Sequence, residues 1–178
     1  CWSDLSELSN RALFPFGHGL TYTKFAYGAP RFSRYASYDG MEGGGDGEGG
    51  RNEATVHAHG VLPWDGALNI TTTLTNVGAR EGEEVVQLYI HDRVASRVRP
   101  VRELKGFAKV RLAPGMSQEV TFTLNRHDLS FTAADPHMGN DVNSNKTISE
   151  PGMFDLWVAS SAANGDSSAF ELLGPKGH

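Results

Sequence analysis

Cysteine is nearly missing from this chain. Cys1 is the only one in 178 residues, so no internal disulfide can form and cysteine pairing says nothing of the redox compartment. No apolar run approaches the ~20 residues a membrane span needs, so no membrane partner is expected. Cations are also scarce: 16 Lys and Arg against 21 Asp and Glu give a net charge of −5, which argues against nucleic acid as a partner. Seven of the 16 basic residues do fall between Arg93 and Arg111, a cluster we read as a solvated loop and strand edge. The chain does not open on Met, so we expect it to be less than a complete translation product, and the lack of a signal peptide is then uninformative. Hydrophobic content, at 39%, is low for a packed domain, but many of the 21 glycines sit in one place and dilute it.

What is present is strand periodicity. In Ser117–Leu124, Val120, Phe122 and Leu124 alternate with Glu119, Thr121 and Thr123, the mark of a strand with one buried face. Ala108, Val110 and Leu112 alternate with Lys109 and Arg111 in the same way. Between them Pro114 presets φ and Gly115 accepts a positive φ, which is type II turn chemistry. The stretch 104–124 is therefore predicted to be an antiparallel pair, with a bulge near Gly106 because Phe107 falls out of phase with Val110.

Along the chain, residues 1–12 read as a polar segment, either foreign to the domain that follows or a linker. Leu13–Phe25 carries Phe14, Phe16, Tyr22 and Phe25, while Pro15, Gly17 and Gly19 deny it regular pairing. It is predicted to be a loop packed on a neighbouring surface, an interdomain strap. Residues 26–173 form the domain proper. Phe25–Tyr35 is a first strand at a sheet edge, broken by Gly28 and Pro30. The glycine-rich, acidic stretch at about 38–56 has almost nothing to bury and is expected to be a disordered insertion. It lacks the ligand ladder of a calcium loop. Leu68, Ile70, Thr72 and Leu74 share one face of a strand, and Glu84–Ile90 is apolar on both faces, as a central strand is. Residues 125–128 read as a turn and 135–145 as a polar loop. Phe154–Ala159 and Ser168–Leu173 are the last strands, and 174–178 are a tail. Short strands separated by turn signals, without an amphipathic helix, predict an all-β sandwich of the immunoglobulin or fibronectin type III kind, for which ~100 residues suffice.

Four ordered blocks carry a resemblance. Leu13-Phe14-Pro15-Phe16-Gly17-His18-Gly19-Leu20-Thr21-Tyr22-Thr23 is followed by Thr75-Asn76-Val77-Gly78 with Gly82–Ile90, then Arg99–Phe107 with Leu112-Ala113-Pro114-Gly115, then Arg126–Ser130. Together they resemble the C-terminal fibronectin type III-like domain of glycoside hydrolase family 3, mostly β-glucosidases, in a fungal flavour. The resemblance implies a secreted parent enzyme that hydrolyses terminal β-D-glucosyl residues in cellulose or glucan breakdown. It also implies catalytic carboxylates in a barrel and an α/β domain that precede this one. Those domains are the partner it implies for Phe14, Phe16, His18 and Tyr22 as domain-docking residues. Trp2-Ser3-Asp4 only superficially resembles the nucleophile's surroundings, so Asp4 is not assigned that role.

No catalytic residue, cofactor or metal ligand is assigned. A retaining glycosidase needs two carboxylates held ~5–5.5 Å apart, whereas the densest acids here, Asp39, Glu42, Asp46, Glu48 and Glu53, lie in the glycine-rich stretch. His57 and His59 share a strand face but have no third ligand, so they read as a surface pair. Trp64 and Trp157 read as core or interface residues before a sugar-stacking platform. Asn69, on the polar face of its strand, and Asn145, expected in a loop, begin N-glycosylation triplets. The alternative to a bracing domain is a free-standing sandwich module that binds polysaccharide or protein.

Overall fold

A computed structural model describes residues 13–35, 60–96, 99–134 and 145–175. The glycine-rich stretch, His57, His59 and the first twelve residues lie outside them.

Two sheets face each other across one core. In the first, β4 (Ala67–Asn76) is central. β7 (Ser117–Asn125) runs antiparallel along one edge of it. β1 (Phe25–Tyr27) and β2 (Arg31–Tyr35) follow each other along the other edge, with the predicted break at Gly28–Pro30 between them. The second sheet has the order β3 (Gly60–Leu62), β11 (Ser168–Leu172), β10 (Gly152–Ala159), β5 (Gly82–Asp92), β6 (Glu103–Leu112). All its pairs are antiparallel except β3 with β11. β8 (Phe131–Ala134) and β9 (Asn145–Ile148) make a separate two-stranded ribbon.

The period of two explains the core. Leu68, Ile70, Thr72 and Leu74 of β4 are buried, as are Val86, Leu88 and Ile90 of β5 and Phe154, Leu156 and Val158 of β10. Phe154 stacks on Phe170 with ring centroids 5.2 Å apart. Each such side chain contributes about 1.5–3 kcal/mol of burial.

The stretch 104–124 differs from its prediction. Strand phases and turn are as expected: Gly115 has φ +73°, and the Met116 N–H donates to the Ala113 carbonyl at 3.1 Å. The two arms, however, do not pair with each other. β6 pairs with β5 and β7 with β4, so the turn carries the chain from one sheet to the other. The end of β4 decides this. The Asn76 N–H donates to the Met116 carbonyl (3.0 Å) and the Gly115 N–H to the Asn76 carbonyl (2.9 Å), which seats the turn on β4 and feeds β7 along its edge. The bulge is where Phe107 indicated it: Leu88 faces Gly106 but Tyr89 faces Leu104, leaving Lys105 as the extra residue. Phe122 is only half-buried, its ring lying over Gly106, where an added Cβ would meet it at 3.1 Å.

One further correction concerns a loop, and one turn stands as expected. Asn145 opens β9, because its segment finds a partner in β8 that single-strand patterning does not reveal. Residues Arg126–Leu129 are a 3-10 turn, with Asn125 accepting from the His127 N–H and Asp128 from the Asn125 N–H.

Asn76 is the polar centre of the sandwich. It is fully buried, and its Oδ1 accepts from Thr23 Oγ1 (2.7 Å) and the Gly78 N–H (3.0 Å). Its Nδ2 donates to the carbonyls of Arg80 (2.8 Å) and Leu112 (2.9 Å). One amide thus ties the entry to β1, the β4–β5 turn and the end of β6.

Candidate functional site

The strap begins with a turn that its sequence dictates. Gly17 takes φ +78°, and the His18 N–H donates to the Pro15 carbonyl at 3.0 Å. The turn lies on the outer face of β5. There Glu83 and Val85 are exposed, but the next two outward positions, Gln87 and Tyr89, are buried beneath it. Gln87 Nε2 donates to the carbonyls of Gly17 (3.1 Å) and Ser160 (2.7 Å). Its Oε1 accepts from the Tyr89 hydroxyl at 2.5 Å, and the Ala162 N–H donates to the Phe16 carbonyl at 2.9 Å. This explains why β5 is apolar or buried on both faces: one face meets the core and the other meets the strap.

The backbone is held, yet the rings point away. Phe14 is 67% exposed, Phe16 68% and Tyr22 92%; His18 is exposed too, 5.2 Å from Phe14 between ring centroids. Among the described residues nothing covers Phe14, Phe16 or Tyr22, whereas Phe25 packs against the core. Between strap and sheet runs a groove of about 800 Å3, lined by Leu20, Phe25, Tyr27, Glu84, Val85 and Phe107 among others. Phe107, 70% exposed, extends the apolar surface from the strap onto β6. Inside the groove, burial pushes the Tyr27 phenol well above its usual range, with the Glu84 carboxylate adding to the shift. Burial likewise raises the Glu84 carboxyl, and interactions with Tyr27 and the Val85 backbone oppose this only in part.

The other predicted residues lie elsewhere. Asn69 faces outward from β4, its Oδ1 accepting from Thr123 Oγ1 at 2.7 Å. Neither tryptophan offers an uncovered ring: Arg126 lies 5.0 Å from the Trp64 centroid and Arg102 4.2 Å from that of Trp157. Among the described residues of the basic cluster, Arg93–Asp155, Lys109–Glu83 and Arg111–Glu81 are the surface pairs its solvated reading expects. Arg99 departs from that reading. It is buried between Asp92 and Glu103, donates to the Leu129 carbonyl at 3.1 Å and sits 5.3 Å from the Phe131 centroid. Burial would raise the Glu103 carboxyl, but hydrogen bonds and charge from Lys105 and Arg99 win and hold it below the ordinary carboxylate range. Among the described residues no group of three His, Cys, Asp or Glu is placed to hold a metal ion, and no helix is long and apolar enough to cross a membrane.

Two packed antiparallel sheets, an inter-sheet turn after β6 and a parallel closing strand define the class. Residues 84–162 match the family of the fibronectin type III-like domain, and the chain carries that domain. It is 36% identical over 150 residues to a β-glucosidase of Rhizobium radiobacter, covering 84% of this chain and 14% of that protein. It is 31% identical over 163 residues to β-glucosidase BoGH3A of Bacteroides ovatus, covering 92% of this chain and 17% of that protein. A solved β-glucosidase structure from Erythrobacter marinus superposes with TM-score 0.69 at 32% identity, over 94% of this chain and 18% of that one. These three relatives are β-glucosidases by name, and the chain matches less than a fifth of the length of each.

Proposed function

We propose that this domain is a non-catalytic brace within a secreted family 3 β-glucosidase, an enzyme that releases terminal β-D-glucosyl residues from cellulose-type or related glucans. The observation that carries this reading is the strap. Its backbone is hydrogen-bonded to β5 and to residue 162, while Phe14, Phe16, His18 and Tyr22 face outward beside Phe107. Burying one such ring is worth about 1.5–3 kcal/mol, so this surface gains most when the catalytic domains cover it. The outer face of β4 is polar, with Thr71 bonded to Thr121 and Thr75 to Ser117, and it remains toward solvent. Asn69 on that face, together with Asn145, is a candidate glycan acceptor.

The test is a full-length Rhizobium radiobacter β-glucosidase in which this chain replaces the matched segment. Phe14→Ser with Phe16→Ser is expected to lower its melting temperature and its kcat/KM, while the same change in the isolated chain leaves the sandwich stable. Unchanged melting of the chimera would refute the bracing role. The arginines over Trp64 and Trp157 weigh against the polysaccharide-binding alternative.

A further inference from the structure

We propose that Pro15–His18 is a pre-formed docking finger held in shape by Gln87, and that its counterpart is an uncharged apolar recess in the catalytic part of the longer polypeptide. This rests on the bracing reading above and adds to it how the surface is presented and what receives it.

Gln87 sits at an outward position of β5, where packing alone would call for an apolar residue. It is instead a buried amide with all its partners assigned. Two of them are backbone carbonyls, those of Gly17 and Ser160, and the third is the Tyr89 hydroxyl. Fixing the strap through its carbonyls leaves its side chains uncommitted, which is why Phe14, Phe16 and His18 are held outward together. The finger has no slack at its tip. Gly17 has φ +78°, and any Cβ there would collide with Gln87 Oε1 and the Tyr89 hydroxyl. A surface ordered before contact loses less conformational entropy when it docks.

The chemistry of the counterpart follows from composition. From Leu13 to Thr23 there is no Asp, Glu, Lys or Arg, so charge cannot guide this contact. A recess that takes two phenyl rings and an imidazole is therefore apolar around the rings, with an uncharged hydrogen-bonding group in reach of the imidazole. Its source is the remaining four-fifths of an enzyme of which this chain matches less than one-fifth.

The experiment pairs hydrogen exchange on the chain with melting of the chimera. Gln87→Met keeps the volume and removes the donor. Exchange at the Ala162 and His18 amides, which bond to the Phe16 and Pro15 carbonyls, is expected to quicken about tenfold while the Leu88 amide stays protected. In the chimera the same variant is expected to lower the melting temperature, and added salt is expected to leave the wild-type chimera's melting unweakened. Tyr89→Phe, a milder change, is expected to act in the same direction by about threefold and serves if Gln87→Met does not fold. Unchanged exchange in both variants overturns the finger. So does faster exchange with unchanged chimera melting. If Phe14→Ser with Phe16→Ser is silent in the chimera, the bracing reading itself fails. If that double variant acts while Gln87→Met does not, only the finger proposal fails.

Discussion

Replacing Asn76 by Ala should test whether one buried amide holds the sandwich together. The change removes four hydrogen bonds at once, to Thr23, Gly78, Arg80 and Leu112. The bond to the Leu112 carbonyl is buried, and the other three are part-buried. A buried carbonyl left without a donor costs roughly 1–3 kcal/mol, and each bond whose partner can recover water costs about 0.5–1.5 kcal/mol. Because the four share one side chain, their losses are not independent, and the expected total is about 3–5 kcal/mol. That is a large share of the ~5–15 kcal/mol available to a typical domain. Urea unfolding followed by tryptophan fluorescence measures it, with Val77→Ala as the control: Val77 is the next residue, 59% exposed, and its truncation should shift stability by less than ~0.5 kcal/mol. Asn76→Asp sharpens the logic. It keeps the shape but aims a carboxylate at two carbonyls, so its cost should shrink as the pH falls and the carboxyl regains a proton. A loss below ~1 kcal/mol for Asn76→Ala would refute the idea that this amide is the hub.

Further expectations follow from the same geometry. Phe154→Ala, which removes a fully buried ring stacked on Phe170, should cost about 3–5 kcal/mol, and Phe122→Ala roughly half as much, because Phe122 is only half-buried; equal denaturation midpoints would contradict the packing. Gly115→Ala should cost about 1–2 kcal/mol through backbone strain alone, since φ is +73° and no neighbour lies within 4 Å of the new Cβ. Glu84 and Glu103 should give opposite pH slopes. The raised Glu84 carboxyl favours its neutral form when folded, so the native state loses stability as pH rises from the ordinary Glu range through the folded pKa; Glu84→Gln should be the more stable variant above that window and converge with wild type below it. The lowered Glu103 carboxyl stabilises above the ordinary Glu range and loses its contribution as pH falls through its folded pKa, so Glu103→Gln should be destabilised at neutral pH and least so in acid.

The sequence carried most of the strands and little of their pairing. Alternation in β4, β7 and β10 is local, and it survives folding because each strand has one core face. Pro114–Gly115 likewise encodes a type II turn whatever it joins. Which sheet the next strand enters depends on Asn76, forty residues away in sequence, and no local pattern records that. β3 is three residues long and pairs in parallel with the last strand, so it has neither the length nor a neighbouring turn to announce it. For the candidate site, the segment 13–25 stood out by its rings and glycines. The partners that fix it, Gln87 and Tyr89, were hidden because an apolar-on-both-faces strand does not say what covers its second face.

The pairing of β3 with β11 also sets an order of events on the ribosome. β3 leaves the tunnel well before its partner β11, with Gly60 waiting for Phe170 and Leu62 for Leu172. Until then Phe154 has no ring to stack on, and the edge of β10 that will take β11 is open. Such distant closures make for slow folding. They also leave an apolar sheet edge exposed during synthesis, the condition under which nascent chains associate wrongly. A nascent chain stalled with β10 outside the tunnel and Phe170 still inside it should therefore bind chaperones and be cut by protease, and lengthening the chain until Leu172 has emerged should end both.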